Sequence, residues 1–173
     1  MVPALRKLVL TTHVVVSIGW FGAAAAVLAL GVTGLATRDP SLANGAYAGT
    51  EVIWRFVIIP FSLAALATGL IEALGTDWGL FRHYWVLAKA VITVGAVALL
   101  LLHTGSLLPA LSRAAAAEAS GALQAAGAHV HGGLPPRVHL VVAAGGTLLL
   151  LLTTATLSIY KPWGKTPYGR RSL

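Results

Sequence analysis

Residues 84–108 read YWVLAKAVITVGAVALLLLHTGSLL and carry a single charged side chain, Lys89. A helix needs about 20 residues to cross the roughly 30 Å hydrocarbon layer of a bilayer, and this stretch is longer than that. Lipid offers the backbone N–H and C=O groups no hydrogen-bond partner. A single apolar stretch of this length is therefore stable in a membrane only as a helix, which pairs these groups within itself. The stretch therefore predicts a membrane-spanning helix.

Three further apolar stretches, at about 8–35, 52–74 and 140–160, have the same character. The whole chain is 57% hydrophobic and only 10% charged, which is typical of membrane proteins rather than of water-soluble domains. Asp39-Pro40 and Asn44-Gly45 predict the first loop, and residues 112–136 form the one long connection. We predict an all-α fold, a four-helix transmembrane bundle, in a single integral membrane domain spanning residues 1–173.

The chain contains no cysteine, which excludes disulfides, thiolate metal sites and covalently attached haem. Its net charge of +7 does not predict a nucleic-acid partner, because the basic residues lie at the ends of apolar stretches and form no soluble basic face. The lipid bilayer is the expected environment.

The basic residues predict the orientation, because cytoplasmic loops are enriched in Lys and Arg. An N-terminus on the inside places seven of them on the cytoplasmic side and four on the other: Arg6, Lys7, Arg82, Lys161, Lys165, Arg170 and Arg171, against Arg38, Arg55, Arg113 and Arg137. We expect a protein of a prokaryotic plasma membrane with both termini in the cytoplasm. Trp85 is then expected at the inner interface and Trp54 at the outer one.

Ionisable residues inside spanning helices are costly and usually functional, and here they form two groups at different depths. The inner group contains His13 and Lys89, each about 7–8 Å inside the cytoplasmic edge, with Glu72 nearby. The outer group contains His103, His139 and Arg55 with Glu51. Lys89 and His103 lie on similar sides of one helix, about 21 Å apart along its axis.

Imidazoles that project inward from facing helices hold haem iron or other metals in helical bundles, and haem b or copper suits a chain without thiolates. His103 and His139, on consecutive antiparallel helices, are the first expected axial pair, and His13 with Lys89 is the second. On the first helix His13, Ser17, Trp20 and Ala24 form an inward stripe against which a flat cofactor fits. With both sites occupied, two haems about 20 Å apart would form an electron path across the bilayer.

Purely structural interpretations remain beside these. In these interpretations His13 only hydrogen-bonds a neighbouring helix, Lys89 extends its ammonium group to the interface, and the outer histidines reach water. Arg55 is suited either to an anion such as a propionate or to an ion pair with Glu51 one turn earlier. His129 and His131, in the long loop, either capture a metal or are simply solvated.

Several short motifs in order resemble the CopD-like superfamily, which includes copper-resistance protein D and the HemJ-type membrane protoporphyrinogen oxidases. They are His13 with Trp20, the run from Arg55 to Pro60, Thr68-Gly69-Leu70, the run from Trp85 to Lys89, and Lys161-Pro162-Trp163. The similarity covers all four predicted helices and matches a superfamily pattern rather than one protein.

For the HemJ-type branch the resemblance implies haem b bound in the bundle, with the positions of His13 and Lys89 important for haem binding and activity. Those enzymes look to have an Asn-Glu-x-Pro element where this chain has His139 after Arg137 and Val138, a departure that favours ligation at the outer edge. For the copper branch it implies copper handling through His and Met, and here Met1 is the only methionine.

The sequence thus favours a transmembrane haem b protein acting in electron transfer, with a haem-dependent oxidoreductase activity left open. Its expected partners are haem and either a redox partner or further copies of itself. One alternative is a copper transport or resistance protein. A further alternative is a cofactor-free accessory subunit whose buried polar residues only fix the helix register.

The orientation is tested by fusing, after Leu173, a reporter that is active on one side of the membrane only. We expect activity of a cytoplasmic reporter and silence of an external one, because the basic residues favour an inner C-terminus. The reverse pattern would place the inner group at the external side of the membrane and the outer group at the cytoplasmic side.

Overall fold

The computed structural model describes residues 2–75, 79–119 and 135–171 of the chain. These residues confirm the all-α class. The elements are α1 (Pro3–Ala36), α2 (Pro40–Ile53), a π-helical turn (Trp54–Ile58), α3 (Ile59–Gly75), α4 (Tyr84–Ala119), α5 (Pro136–Tyr160) and the short α6 (Pro167–Arg171).

Within the described residues, four helical segments are long and apolar enough to cross a membrane: Pro3–Ala36, Pro40–Gly75, Tyr84–Ser106 and Pro136–Tyr160. Each corresponds to one of the four predicted stretches. The second segment is continuous through α2, the π-helical turn and α3. Its length shows that the apolar stretch at 52–74 is only the later part of a longer helix.

The prediction that Asn44-Gly45 belongs to the first loop is wrong, because both residues lie within α2. That helix begins earlier, at Pro40, where the missing backbone N–H of proline costs nothing at a first helical position. Asp39 caps it by accepting a hydrogen bond from the Ser41 backbone N–H at 2.9 Å. Only residues 37–39 therefore connect the first two helices.

The π-helical turn at Trp54–Ile58 directly precedes Pro60. Proline cannot donate a backbone hydrogen bond, and its ring crowds the carbonyl four residues earlier. The chain accommodates this by widening one turn, so that the Ile59 N–H bonds to the carbonyl of Trp54, five residues back. The turn leaves the Trp54 ring buried and the Arg55 side chain exposed.

The helices form a bundle in which α1 packs against α2, α3 and α5, while α4 packs against α3 and α5. The start of α4 meets the end of α5, and the later part of α4 meets the start of α5, so these two helices run antiparallel. Among the described residues, the largest fully buried apolar side chains are Trp20 and Val27 of α1 and Leu140 of α5, and the core around them also includes residues of α2, α3 and α4.

Two tryptophans predicted to anchor at the membrane interfaces are instead packed inside the bundle. Trp54 is 4% exposed and Trp85 is 8% exposed. The Trp54 indole N–H donates to the Thr104 hydroxyl at 2.8 Å, which satisfies its polar edge inside the protein. The hydropathy pattern marks an aromatic near a helix end but does not reveal which way its ring turns.

The segment after α5 is attached to the connection between α3 and α4. The Thr166 backbone N–H donates to the Arg82 carbonyl at 2.9 Å, and the Thr166 hydroxyl donates to the Phe81 carbonyl. Lys165 forms an isolated β-bridge with His83. These contacts hold α6 at the same end of the bundle as the start of α4.

Close contact between α1 and α3 requires a glycine at position 19, because a Cβ atom there would overlap the Phe61 ring. We expect Gly19→Ala to destabilise the bundle by about 1–3 kcal/mol through overpacking. Gly22→Ala, on the same helix, is the matched control because nothing lies within 4 Å of its Cβ position. The thermal unfolding midpoint should fall for the first variant only, and equal midpoints would contradict the close contact.

Candidate functional site

A cavity of about 850 Å³ lies where the first half of α1, the end of α3, the start of α4 and the end of α5 meet. This volume falls within the roughly 300–1,000 Å³ typical of ligand sites. Most of its lining is apolar, and its polar members include His13, Ser17, Glu72, Lys89 and Ser158. The structure therefore brings the predicted inner group together around one cavity, which we call the inner cavity.

His13 on α1 is held by a hydrogen bond to Thr68 on α3. Its Nδ1 lies 2.9 Å from the Thr68 hydroxyl, and that hydroxyl donates its own hydrogen to the Ala64 carbonyl at 2.6 Å. Thr68 therefore accepts, and His13 donates through Nδ1–H. A neutral imidazole with the hydrogen on Nδ1 keeps a free lone pair on Nε2, which is the arrangement that metal-ligating histidines use.

Gly69, the residue after Thr68, makes room for this imidazole. A Cβ atom at position 69 would lie 3.0 Å from His13 Cε1, closer than side chains normally approach. The Thr68-Gly69 dipeptide thus supplies a hydrogen-bond acceptor and the space beside it.

Lys89 is held inside the bundle rather than extended to water. Its Nζ donates to the Ser158 hydroxyl, which in turn donates to the Thr154 carbonyl at 3.0 Å. The Trp85 ring lies 5.8 Å from Nζ, within the range of a cation–π contact. The interpretation of Lys89 as a residue that only reaches for the interface does not match these contacts.

The predicted inward stripe on α1 is present. His13, Ser17 and Trp20 line the inner cavity, and Ala24 is 1% exposed. Trp20 is also 1% exposed, and its indole Nε1 has no hydrogen-bond partner among the described residues. A buried donor without an acceptor is costly, so its presence beside a cavity is compatible with an acceptor supplied by a ligand.

The outer histidines are also brought together, as the sequence predicts. His103 Nε2 and His139 Nε2 lie 3.0 Å apart, and the rings meet edge to face with centroids 4.8 Å apart. Two ligands on opposite sides of one metal, each with a metal–nitrogen distance of about 2.0 Å, are about 4 Å apart. The observed spacing suits a hydrogen bond or a shared ion better than axial ligation across a porphyrin.

Arg55 forms the ion pair with Glu51 that was one of the two roles expected for this residue. Its guanidinium lies 2.7 Å from the Glu51 carboxylate one turn earlier, and the two side chains are 58% and 41% exposed. An exposed pair of this kind contributes little to stability. This contact gives no support to an anion-binding role for Arg55.

Three residues at the site were not singled out as site residues from the sequence. Arg6 and Ser158 line the inner cavity, and Ser158 is the hydrogen-bond partner of Lys89. Thr68 is the hydrogen-bond partner of His13. Ser158 belongs to a polar row on α5 with Thr147 and Thr154, spaced seven and four residues apart. That spacing places the three on one helix face and was the available signal.

In residues 2–75, 79–119 and 135–171, no group of three or more His, Asp or Glu side chains is placed to bind one metal ion. His129 and His131 of the long loop lie outside the described residues.

Comparisons of the chain with protein-family models, with curated proteins and with solved structures find no match. Function is therefore inferred from the geometry of the chain itself.

Proposed function

We propose that the protein binds haem b in the inner cavity, with His13 Nε2 as an axial ligand of the iron, and that it acts in membrane electron transfer. The observation that carries this proposal is the hydrogen bond from His13 Nδ1 to Thr68. It places the imidazole hydrogen on the nitrogen that faces Thr68. The other nitrogen of a cavity-lining side chain is then available to a metal.

The character of the cavity walls fits a porphyrin, which is a flat apolar ring with two carboxylates. Tryptophan and aliphatic side chains supply an apolar lining. The small residues Ala65, Gly69 and Ala90 leave space for a ligand beside them. Arg6 and Lys89 supply donors suited to carboxylates. Haem, when bound, supplies one-electron chemistry, while these residues bind it, orient it and exclude water.

Lys89 has a positioning role in this proposal rather than that of the second axial ligand. Its Nζ is directed to the Ser158 hydroxyl and lies over the Trp85 ring. The contact with the Trp85 ring favours an ammonium group, whereas a ligating lysine must be neutral. An ammonium at this place supports the binding of a porphyrin carboxylate.

The proposed setting is a prokaryotic plasma membrane with both termini in the cytoplasm, which places the inner cavity toward the cytoplasmic face. Electron exchange would then occur with a partner on that side. The copper-handling alternative has less support, because Met1 is the only methionine and His13 is the one imidazole among the described residues that line the inner cavity. A cofactor-free subunit gives the His13 hydrogen bond a role in helix register but leaves the inner cavity without one.

The haem proposal is tested by purifying the protein from haem-sufficient cells and extracting the pigment with acidified organic solvent. We expect non-covalent haem b, because no cysteine is present to attach it. His13→Ala should lower the haem content at least about tenfold through loss of the iron ligand. His103→Ala and His139→Ala are matched controls, since each removes a histidine from a spanning helix without touching the inner cavity.

Two results would contradict this assignment. Loss of haem from the His103 or His139 variant, with retention in His13→Ala, would place the haem at the outer pair. A colourless parent protein would favour the cofactor-free alternative. The thermal midpoint of every variant is measured in parallel, so that loss of haem is separated from loss of fold.

Thr68→Val tests the hydrogen bond that sets the His13 tautomer. Valine keeps the shape of threonine but cannot accept the Nδ1–H bond, so we expect haem affinity to fall by about 10–100-fold. Thr147→Val is the control, because Thr147 also donates to the carbonyl four residues earlier, that of Ala143, but on α5. Equal haem affinity in the two variants would show that Thr68 does not orient the ligand.

A further inference from the structure

The outer histidine pair is separate from the inner cavity and needs its own explanation. His103 and His139 stand on α4 and α5 at the end of the bundle opposite to Lys89 and Ser158. The His103 Nδ1 lies 2.6 Å from the Leu99 carbonyl, an acceptor, so Nδ1 carries the hydrogen and Nε2 keeps its lone pair. His139 must then donate through Nε2–H into that lone pair.

Metal binding would require two changes in this arrangement. The His139 hydrogen moves from Nε2 to Nδ1, so that both Nε2 atoms carry a lone pair, and the two rings turn until these lone pairs meet beside the line that joins the nitrogens. Metal–nitrogen distances of 2.0–2.1 Å place two imidazole nitrogens about 2.9 Å apart at a right angle and about 3.3 Å apart at the tetrahedral angle. The observed 3.0 Å falls between these values.

We propose that His103 and His139 together bind one divalent transition-metal ion of the Zn²⁺ or Cu²⁺ class, independently of haem in the inner cavity. Neutral imidazole suits both ions. The Leu99 carbonyl holds the His103 ring by its other nitrogen, as the partners of metal-ligating histidines commonly do. Water completes the coordination.

The surroundings allow a cation to reach this pair. Both histidines are partly exposed at the end of the bundle, so the ion does not have to cross the apolar core. The nearest cation in the sequence, Arg137, stacks over the Tyr47 ring with its guanidinium carbon 5.0 Å from the ring centre. Its charge is thereby directed toward an aromatic face on α2.

The test uses the full chain carrying a tag without histidines, in a His129→Ala, His131→Ala background that removes the loop histidines as competing ligands. Metal-depleted protein is titrated with Zn²⁺, and bound zinc is counted after desalting. We expect one zinc per chain and a raised thermal midpoint. His103→Ala and His139→Ala should each weaken binding at least about tenfold, while the control His83→Ala should bind like the background.

A second measurement needs no further substitution. The electron paramagnetic resonance spectrum of Cu²⁺ bound to the background protein counts its imidazole ligands, and two are expected. Fewer than two imidazoles, zinc binding that persists in the His103 and His139 variants, or no zinc binding would each overturn the proposal. None of these results bears on haem at His13, so the two proposals fail separately.

Discussion

The absence of water inside a bilayer is the constraint on which the rest of this structure depends, since a polar side chain without a partner is costly there. Among the described residues, four side-chain hydrogen bonds join different helices: His13 with Thr68, Lys89 with Ser158, Trp54 with Thr104, and His103 with His139. Each bond therefore satisfies a partly buried group and also fixes the rotation of one helix against another. The polar residues that sequence analysis singles out as functional are largely the same residues that set the helix register.

The four spans were predictable because hydropathy depends only on local sequence, and the depth of each ionisable residue followed from the rise of a helix. The inner cavity was predictable in its main members, His13, Trp20 and Lys89, for the same reason. Partners across helices were not, because a threonine or serine in an apolar helix bonds equally well to its own backbone, as Thr147 does. The buried position of Trp54 also depended on the π-helical turn before Pro60, which hydropathy does not reveal.

At the two histidine sites, a backbone or hydroxyl acceptor determines which imidazole nitrogen carries the hydrogen. In both, Nδ1–H donates to a fixed acceptor, the Thr68 hydroxyl for His13 and the Leu99 carbonyl for His103. The remaining Nε2 then has a lone pair in each case. The sites differ in their surroundings, because His13 lines a cavity, whereas His103 Nε2 lies 3.0 Å from a second imidazole.

That difference determines the size of the group that each proposed site would accept. A macrocycle needs open volume beside its ligand, and the inner cavity supplies about 850 Å³ next to small residues such as Gly69. Two nitrogens 3.0 Å apart are too close for a macrocycle between them, whereas a single ion would lie beside the line that joins them. Since Lys89 and His103 stand about 21 Å apart on the same helix, α4 carries one residue of each proposed site. This one helix thus fixes the separation of the proposed haem site from the proposed ion site.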